Sequence, residues 1–269
     1  MPAQQGARGS SAGRLEATQV RAMFDRIAGV YDLMNTAMTA GLHHRWRALA
    51  AEQAAVGPGS RVLDVATGTG DLAIELARRV TPGGEVVGVD FAEGMLDRAR
   101  AKAAHGHAPV VPRFEWGDAL DLQYLADAFD AATVGFGARN FDDLAGGLRE
   151  MVRVVRPGGR VVVLEITTPT RPPLSLFYRV WFDRLVPAIG RLVGAAQALR
   201  RRRSAAGATE APGGVAAAYS YLPNSVKRFP SPDGLAAEMQ RAGLSEIRYR
   251  LLAGGIVAVH AGTVPAVRA

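Results

Sequence analysis

Apolar positions between residues 61 and 167 fall in short runs that alternate with stretches of helical spacing. "RVLDVA" (61–66) has the compact apolar pattern of a buried strand. Gly-Thr-Gly follows, then the helical "DLAIELARRV" (71–80), which "TPGG" ends. The alternation repeats. "EVVGVD" (85–90) is a strand and "AEGMLDRARAKAA" (92–104) a helix; "PRFEWGDA" (112–119) and "FDAATVGFGARN" (129–140) are two more strands. "FDDLAGGLREMVRVV" (141–155) is a helix stopped by "RPGG", and "RVVVLEIT" (160–167) is a fifth strand. Such alternation specifies an α/β fold, a parallel sheet with helices on both faces and right-handed crossovers. At the C-terminal end, "GLSEIRYRLLAGGIVAVHAG" (243–262) reads as two strands joined by Ala-Gly-Gly, so short a joint that they must be antiparallel neighbours.

Residues 18–56 carry apolar positions at helical spacing with a break near Gly41, and predict an N-terminal helical cap. The small, polar residues 1–17 predict a disordered tail without the apolar centre of a signal peptide. Residues 18–269 are expected to form one domain. Within it, residues 170–230 form a helical lid, with an Arg-rich flexible insertion near residues 197–215 that includes the run Arg200–Arg203. In the lid, Leu174, Phe177, Trp181 and Leu185 recur near helical spacing, which suits a packed core stripe or an apolar channel.

Composition narrows the chemistry. The chain of 269 residues contains no cysteine, which removes disulfides, thiolate metal sites, iron–sulfur chemistry and cysteine nucleophiles. No apolar run is long enough to span a bilayer, so a cytoplasmic protein is expected. The formal net charge of +7 suits contact with an anionic surface, or merely a solvated arginine-rich exterior. No nucleic-acid partner is expected, because the aromatics are not interleaved with the basic run.

The glycine turn poses the question of a ligand. In an open α/β sheet the ligand sits beyond the strand C-termini, and Gly68-Thr69-Gly70 falls there. Glycines let the backbone come close to it. Asp90 ends the second strand, where a carboxylate can bind both hydroxyls of a ribose. The same layout serves dinucleotides and S-adenosylmethionine. Asp71 opens the helix after the turn, where it would repel a phosphate, and Asp64 adds a second acid beneath the loop. On charge grounds a ligand with a sulfonium and an amino group fits better than NAD. The plainer alternatives are an acid complementing the helix dipole at Asp71 and a buried, hydrogen-bonded acid at Asp64.

"VLDVATGTGDLAIELA" and "VVGVDFAEGML" resemble motifs I and II of class I S-adenosylmethionine-dependent methyltransferases. "MFDRIAGVYDLMNTAMTAGLHHRW", "VGFGARNFDD", "VVRPGGRVVVLE" and "AGGIVAVHAG" resemble the ubiquinone/menaquinone biosynthesis C-methyltransferase family, over residues 20–190 and 219–262. The resemblance implies a Rossmann-like class I methyltransferase fold: a mostly parallel seven-stranded sheet with an antiparallel C-terminal hairpin and an N-terminal helical cap. It implies S-adenosylmethionine as co-substrate, no metal, and methylation of a polyprenylated quinol ring, demethylmenaquinol or the ubiquinone precursor. Enzymes of the same fold acting on another small molecule or on RNA, an NAD-dependent reductase and a non-catalytic cofactor-binding protein are the rival readings. Carried over, the family's cofactor contacts fall on Thr69, Asp90, Asp118 and Ala119, with Gly68 and Gly70 in the same loop as Thr69 and Asp64 in the strand beneath it. Gly135 stands where the family often has serine, and the insertion is a second departure.

Transfer of a methyl group to a ring carbon is helped by removing a proton from a ring hydroxyl, by a general base or through water. The catalytic candidates implied by the family segments are Arg139 and Asn140 of "FGARN", facing the site, with Tyr31 and His43 on the cap. Arg139 would stabilise the oxyanion, Asn140 would orient a ring oxygen, and His43 titrates in a range suited to a base. A long isoprenoid tail and the basic insertion together suggest peripheral contact with the inner face of an anionic membrane.

Overall fold

The computed structural model describes residues 17–28, 31–105, 110–169 and 223–266, together with Pro172, Ser175, Leu176, Ala188 and Tyr221. The expected tail up to residue 16, most of the lid, its stripe at Leu174, Phe177, Trp181 and Leu185, and the run Arg200–Arg203 lie outside the described residues.

Seven strands form one sheet: β1 (Arg61–Val65), β2 (Glu85–Asp90), β3 (Arg113–Trp116), β4 (Phe129–Gly135), β5 (Val155–Ile166), β6 (Ser245–Leu252) and β7 (Val257–Thr263). Their order is β3-β2-β1-β4-β5-β7-β6. The first five strands are parallel, and β7 runs antiparallel to both β5 and β6. The order reverses between β1 and β4, which opens a crevice at their C-terminal ends.

Period-two alternation explains how β1 serves two cores. Val62 packs on one face with helices α3 (Leu42–Gln53) and α4 (Asp71–Arg79), including Ala50, Leu72 and Leu76. Leu63 and Val65 pack on the other face with Leu148 and Met151 of α6 (Leu144–Val154). Helix α5 (Glu93–His105) shares the first face through Leu96 and Ala99. The cap is three helices rather than two, α1 (Ala17–Ile27), α2 (Tyr31–Thr39) and α3. It breaks at Gly41, where φ is 76°, as the sequence predicts, and a second time between α1 and α2. Val20, Met23 and Ile27 of α1 seat it against Ala92 and Met95 at the start of α5.

One helix has no counterpart in the sequence reading, α7 (Pro232–Arg241). Its signals are present: Ser231 caps it by accepting a hydrogen bond from the Gly234 N–H, and Pro232 stands in the first turn. Only Leu235 and Met239 of its residues are buried, so its apolar periodicity is thin.

Candidate functional site

The crevice holds a cleft of about 1000 Å³, open solvent at its mouth included. Its floor is Asp64 of β1 with Ala66, Thr67, Gly68 and Thr69 after the strand. Asp90 ends β2 and Phe91 follows it, Gly117, Asp118 and Ala119 follow β3, and Gly135 ends β4 with Phe136 and Gly137 after it. The cap contributes Phe24, Tyr31 and Arg47, and the segment after β4 contributes Asn140, Phe141 and Asp142.

Two buried carboxylates set the glycine loop. Asp90 accepts from the Gly68 N–H at 2.8 Å through one oxygen and from the Ala92 N–H at 2.9 Å through the other. It therefore fastens the loop to the entry of α5 while facing the cleft. Asp64 accepts from the hydroxyls of Thr67 at 2.6 Å and Thr133 at 2.7 Å. Burial pushes both carboxyls up to about 6, and their hydrogen bonds hold them from rising further. Asp64 is thus the hydrogen-bonded acid beneath the loop. Gly68 needs its φ of 57° to make the turn. Gly70 does not line the cleft, contrary to the sequence expectation. With φ of 81° it abuts the Phe114 ring, where a Cβ would come within 2.8 Å. It serves close packing of α4 on the sheet.

A polar cluster ties the cap to this loop. The Thr69 hydroxyl donates to Asp32 of α2 at 2.6 Å. Lys102 of α5 reaches Asp32 at 2.7 Å, Asp71 at 2.6 Å and the Thr69 hydroxyl at 3.1 Å. Arg47 lies 3.5 Å from Asp71. Although burial opposes it, these two cations hold the Asp71 carboxyl below its ordinary range. That corrects the charge reasoning from sequence: Asp71 is already neutralised by Arg47 and Lys102, so it does not discriminate against a phosphate. The acids facing the cleft are Asp64, Asp90, Asp118 and Asp142.

At the far end Asp118 accepts from the Leu120 N–H at 2.9 Å, and Ala119 follows it on the wall. Gly135 also lines the cleft. A Cβ there would meet Leu72 Cδ2 at 3.1 Å, a tight contact with the end of a flexible side chain.

Of the four catalytic candidates, Tyr31 and Asn140 lie on the wall. The Tyr221 hydroxyl donates to Asn140 Oδ1 at 3.3 Å. Arg139 does not face the cleft. Its side chain is 6% exposed, donates to the Phe136 carbonyl and pairs with Glu165 at 2.6 Å. The Glu165 side chain is 2% exposed and also accepts from the Arg139 N–H. His43 is likewise off the wall, and its Nε2 lies 3.2 Å from the Thr36 hydroxyl. Burial, with Arg47 and His44 beside it, lowers it to about 4, so it stays neutral and is a poor base near pH 7. Sequence reasoning passed over Arg47 and the aromatic wall of Phe24, Phe91, Phe136 and Phe141. In sequence, Arg47 looks like any cation on an amphipathic helix.

Comparison with known proteins fits this geometry. A profile of the ubiE/COQ5 methyltransferase family matches residues 13–202 and 213–264, leaving out part of the Arg-rich segment. The demethylmenaquinone methyltransferase of Thermus thermophilus is 44% identical over 243 residues, covering 90% of this chain and 100% of that protein. The enzyme of that name from Desulfitobacterium hafniense is 39% identical over 253 residues, 94% of this chain and 92% of that one. A ubiquinone/menaquinone biosynthesis C-methyltransferase of a Geobacter strain is 37% identical over 91% of this chain and 96% of its own. Among solved structures, a SAM-dependent methyltransferase of Thermotoga maritima superposes with a TM-score of 0.58 at 19% identity, over 90% of this chain and 99% of the other. That likeness establishes the class I methyltransferase fold. The chain belongs to the ubiE/COQ5 methyltransferase family and is an S-adenosylmethionine-dependent methyltransferase.

Proposed function

We propose that this chain methylates the ring of a polyprenylated quinol in menaquinone biosynthesis, converting demethylmenaquinol to menaquinol. The observation that carries the reading is near full-length similarity, at 39% and 44% identity, to two demethylmenaquinone methyltransferases. The Geobacter relative, whose name includes ubiquinone, favours the methoxy-benzoquinol precursor as a second acceptor.

The bound cofactor supplies the methyl group. We assign its ribose to Asp90, its adenine to Asp118 and Ala119, and its passage over the loop to Gly68 and Thr69, with Asp64 and Gly135 shaping the floor. The acceptor ring lies against Phe24, Phe136 and Phe141, with Tyr31 and Asn140 at its polar edge. Since Asn140 Oδ1 is taken by Tyr221, its Nδ2 remains to donate to a ring oxygen. A donor there stabilises the charge that develops as the ring hydroxyl loses its proton and the neighbouring carbon becomes nucleophilic. Arg139, held by Glu165, fixes the backbone that presents Asn140. We place the described residues and the lid in one domain. Among the described residues no helix is long and apolar enough to cross a membrane. Peripheral contact with an anionic membrane surface is part of the proposal, and the isoprenoid tail of the acceptor and the Arg200–Arg203 run support it.

The test is transfer from labelled S-adenosylmethionine to demethylmenaquinol, with a soluble phenol and RNA as competing acceptors. Labelled menaquinol is expected. Transfer to either competitor and none to the quinol would overturn the reading. Asn140→Ala should lower turnover by about 10²–10³ while cofactor affinity stays within a few fold, the scale for losing one oxyanion donor.

A further inference from the structure

Arg47 is the only cation on the wall of the cleft formed by the described residues, which otherwise carries four carboxylates. It projects from α3, and its side chain is 8% exposed. Nη1 is held from behind: it bonds His43 Nδ1 and lies 3.5 Å from Asp71. The guanidinium sits 5.4 Å from the centre of the Phe136 ring. Nε and Nη2 have no hydrogen-bond partner among the described residues. They are nevertheless not sealed away, unlike Nε of Arg79 and of Arg139, which are buried without a partner. The open space beside Arg47 is the cleft.

His43 accounts for the pose. A neutral imidazole that accepts at Nδ1 carries its proton on Nε2 and donates it to the Thr36 hydroxyl, which in turn donates to the Asp32 carbonyl at 2.8 Å. The chain fixes one edge of the guanidinium and leaves the other free. A free Nε–Nη2 edge matches the two oxygens of a carboxylate.

The position of Arg47 selects the ligand group. Asp90 ends β2 and Asp118 follows β3, whereas Phe136, on which Arg47 packs, follows β4. In the sheet order these lie on opposite sides of β1. A cofactor with its adenosine at the β2–β3 end therefore brings its amino-acid end to Arg47. We propose that Arg47 is the residue that binds the carboxylate of S-adenosylmethionine, through its Nε–Nη2 edge, with His43 as its positioning residue. The assignment concerns the cofactor end of the site and is independent of the identity of the acceptor.

Calorimetry with two ligands tests it. S-adenosylhomocysteine and its decarboxylated counterpart, S-adenosyl-3-thiopropylamine, are titrated into the full chain and into Arg47→Met and Arg47→Lys. Wild type should bind the decarboxylated ligand about tenfold to a hundredfold more weakly, the scale of a charge-assisted pair. Arg47→Met should lose a similar factor for S-adenosylhomocysteine and stay within a few fold of wild type for the decarboxylated ligand; Arg47→Lys should fall between. An arginine that only neutralises Asp71 predicts equal losses for both ligands, and that result overturns the proposal. Should Arg47→Met fail to fold, the two ligands on wild type and Arg47→Lys still decide: equal affinities in wild type refute it.

Discussion

Asp90 shows how much one side chain is asked to do. Its oxygens hold the Gly68 and Ala92 amides, and the same carboxylate faces the cleft where a ribose would donate to it. Burial raises it to about 6, above its value in an unfolded chain, so the free protein keeps a proton on it at lower pH and ionising it costs stability as pH rises through that range. Ribose hydroxyls are donors and favour the ionised form. Affinity for S-adenosylhomocysteine should therefore rise with pH up to about 6, by at most about tenfold per pH unit, and level off above. Protons should be released on binding below that point, measurable by titration in two buffers of different ionisation heat. Asp90→Asn should bind more weakly and without that slope; persistence of the slope would assign it to Asp64, which is raised to a similar value. At this scale the sequence was legible where one residue suffices. The left-handed turn at Gly68 and the acid ending β2 are written in their own types. Asp71, Arg139 and Gly70 are not legible in that way because their contacts are to Lys102, Glu165 and Phe114, partners that only the fold brings near. His43 is not, because its burial is invisible in sequence, although Arg47 stands one turn along the same helix.

At the scale of elements, the cap is fastened to the sheet at two places. Asp25 of α1 accepts from the Gly94 N–H at 2.9 Å, where α5 begins, and Asp32 of α2 binds Lys102 and Thr69. The ion pair is partly exposed, so its value lies in geometry more than in energy. Asp32→Asn should leave the melting temperature nearly unchanged yet speed amide exchange in residues 17–39. It should weaken cofactor binding by about three- to tenfold, because the Asn amide sets an N–H donor where Lys102 binds a carboxylate oxygen and so holds the Thr69 hydroxyl less firmly, while the loop stays folded. Unaltered exchange in α1 and α2 would show that the apolar seat of Val20, Met23 and Ile27 holds the cap alone. The strands were legible because each apolar run is short and ended by turn residues. The second break in the cap and helix α7 were not, since helical periodicity continues across the one and only two buried positions mark the other.

For the whole molecule a buried Arg139–Glu165 pair joins the turn after β4 to the C-terminal end of β5. Breaking such a pair strands a charge. Glu165→Ala should cost about 3–5 kcal/mol, read as a lowered melting temperature, and Glu165→Gln less because it still accepts. Arg139→Lys should also melt earlier, with activity lost in proportion to unfolded protein. A collapse of turnover in Arg139→Lys at an unchanged melting temperature would return Arg139 to direct contact with the acceptor. The alternating pattern made the parallel sheet and its crevice legible over the whole chain. The aromatic wall of the cleft was not, because it is assembled from the cap and from the segment after β4.

The bond from Thr69 to Asp32 has a consequence for how variants of this chain would be interpreted. The two positions are 37 residues apart, and Asp32 is not on the wall of the cleft. A genetic screen scoring lost cofactor affinity would therefore recover changes in α2 together with changes in the loop. Their phenotypes would be indistinguishable by dose of cofactor and separable only by the mobility of the cap.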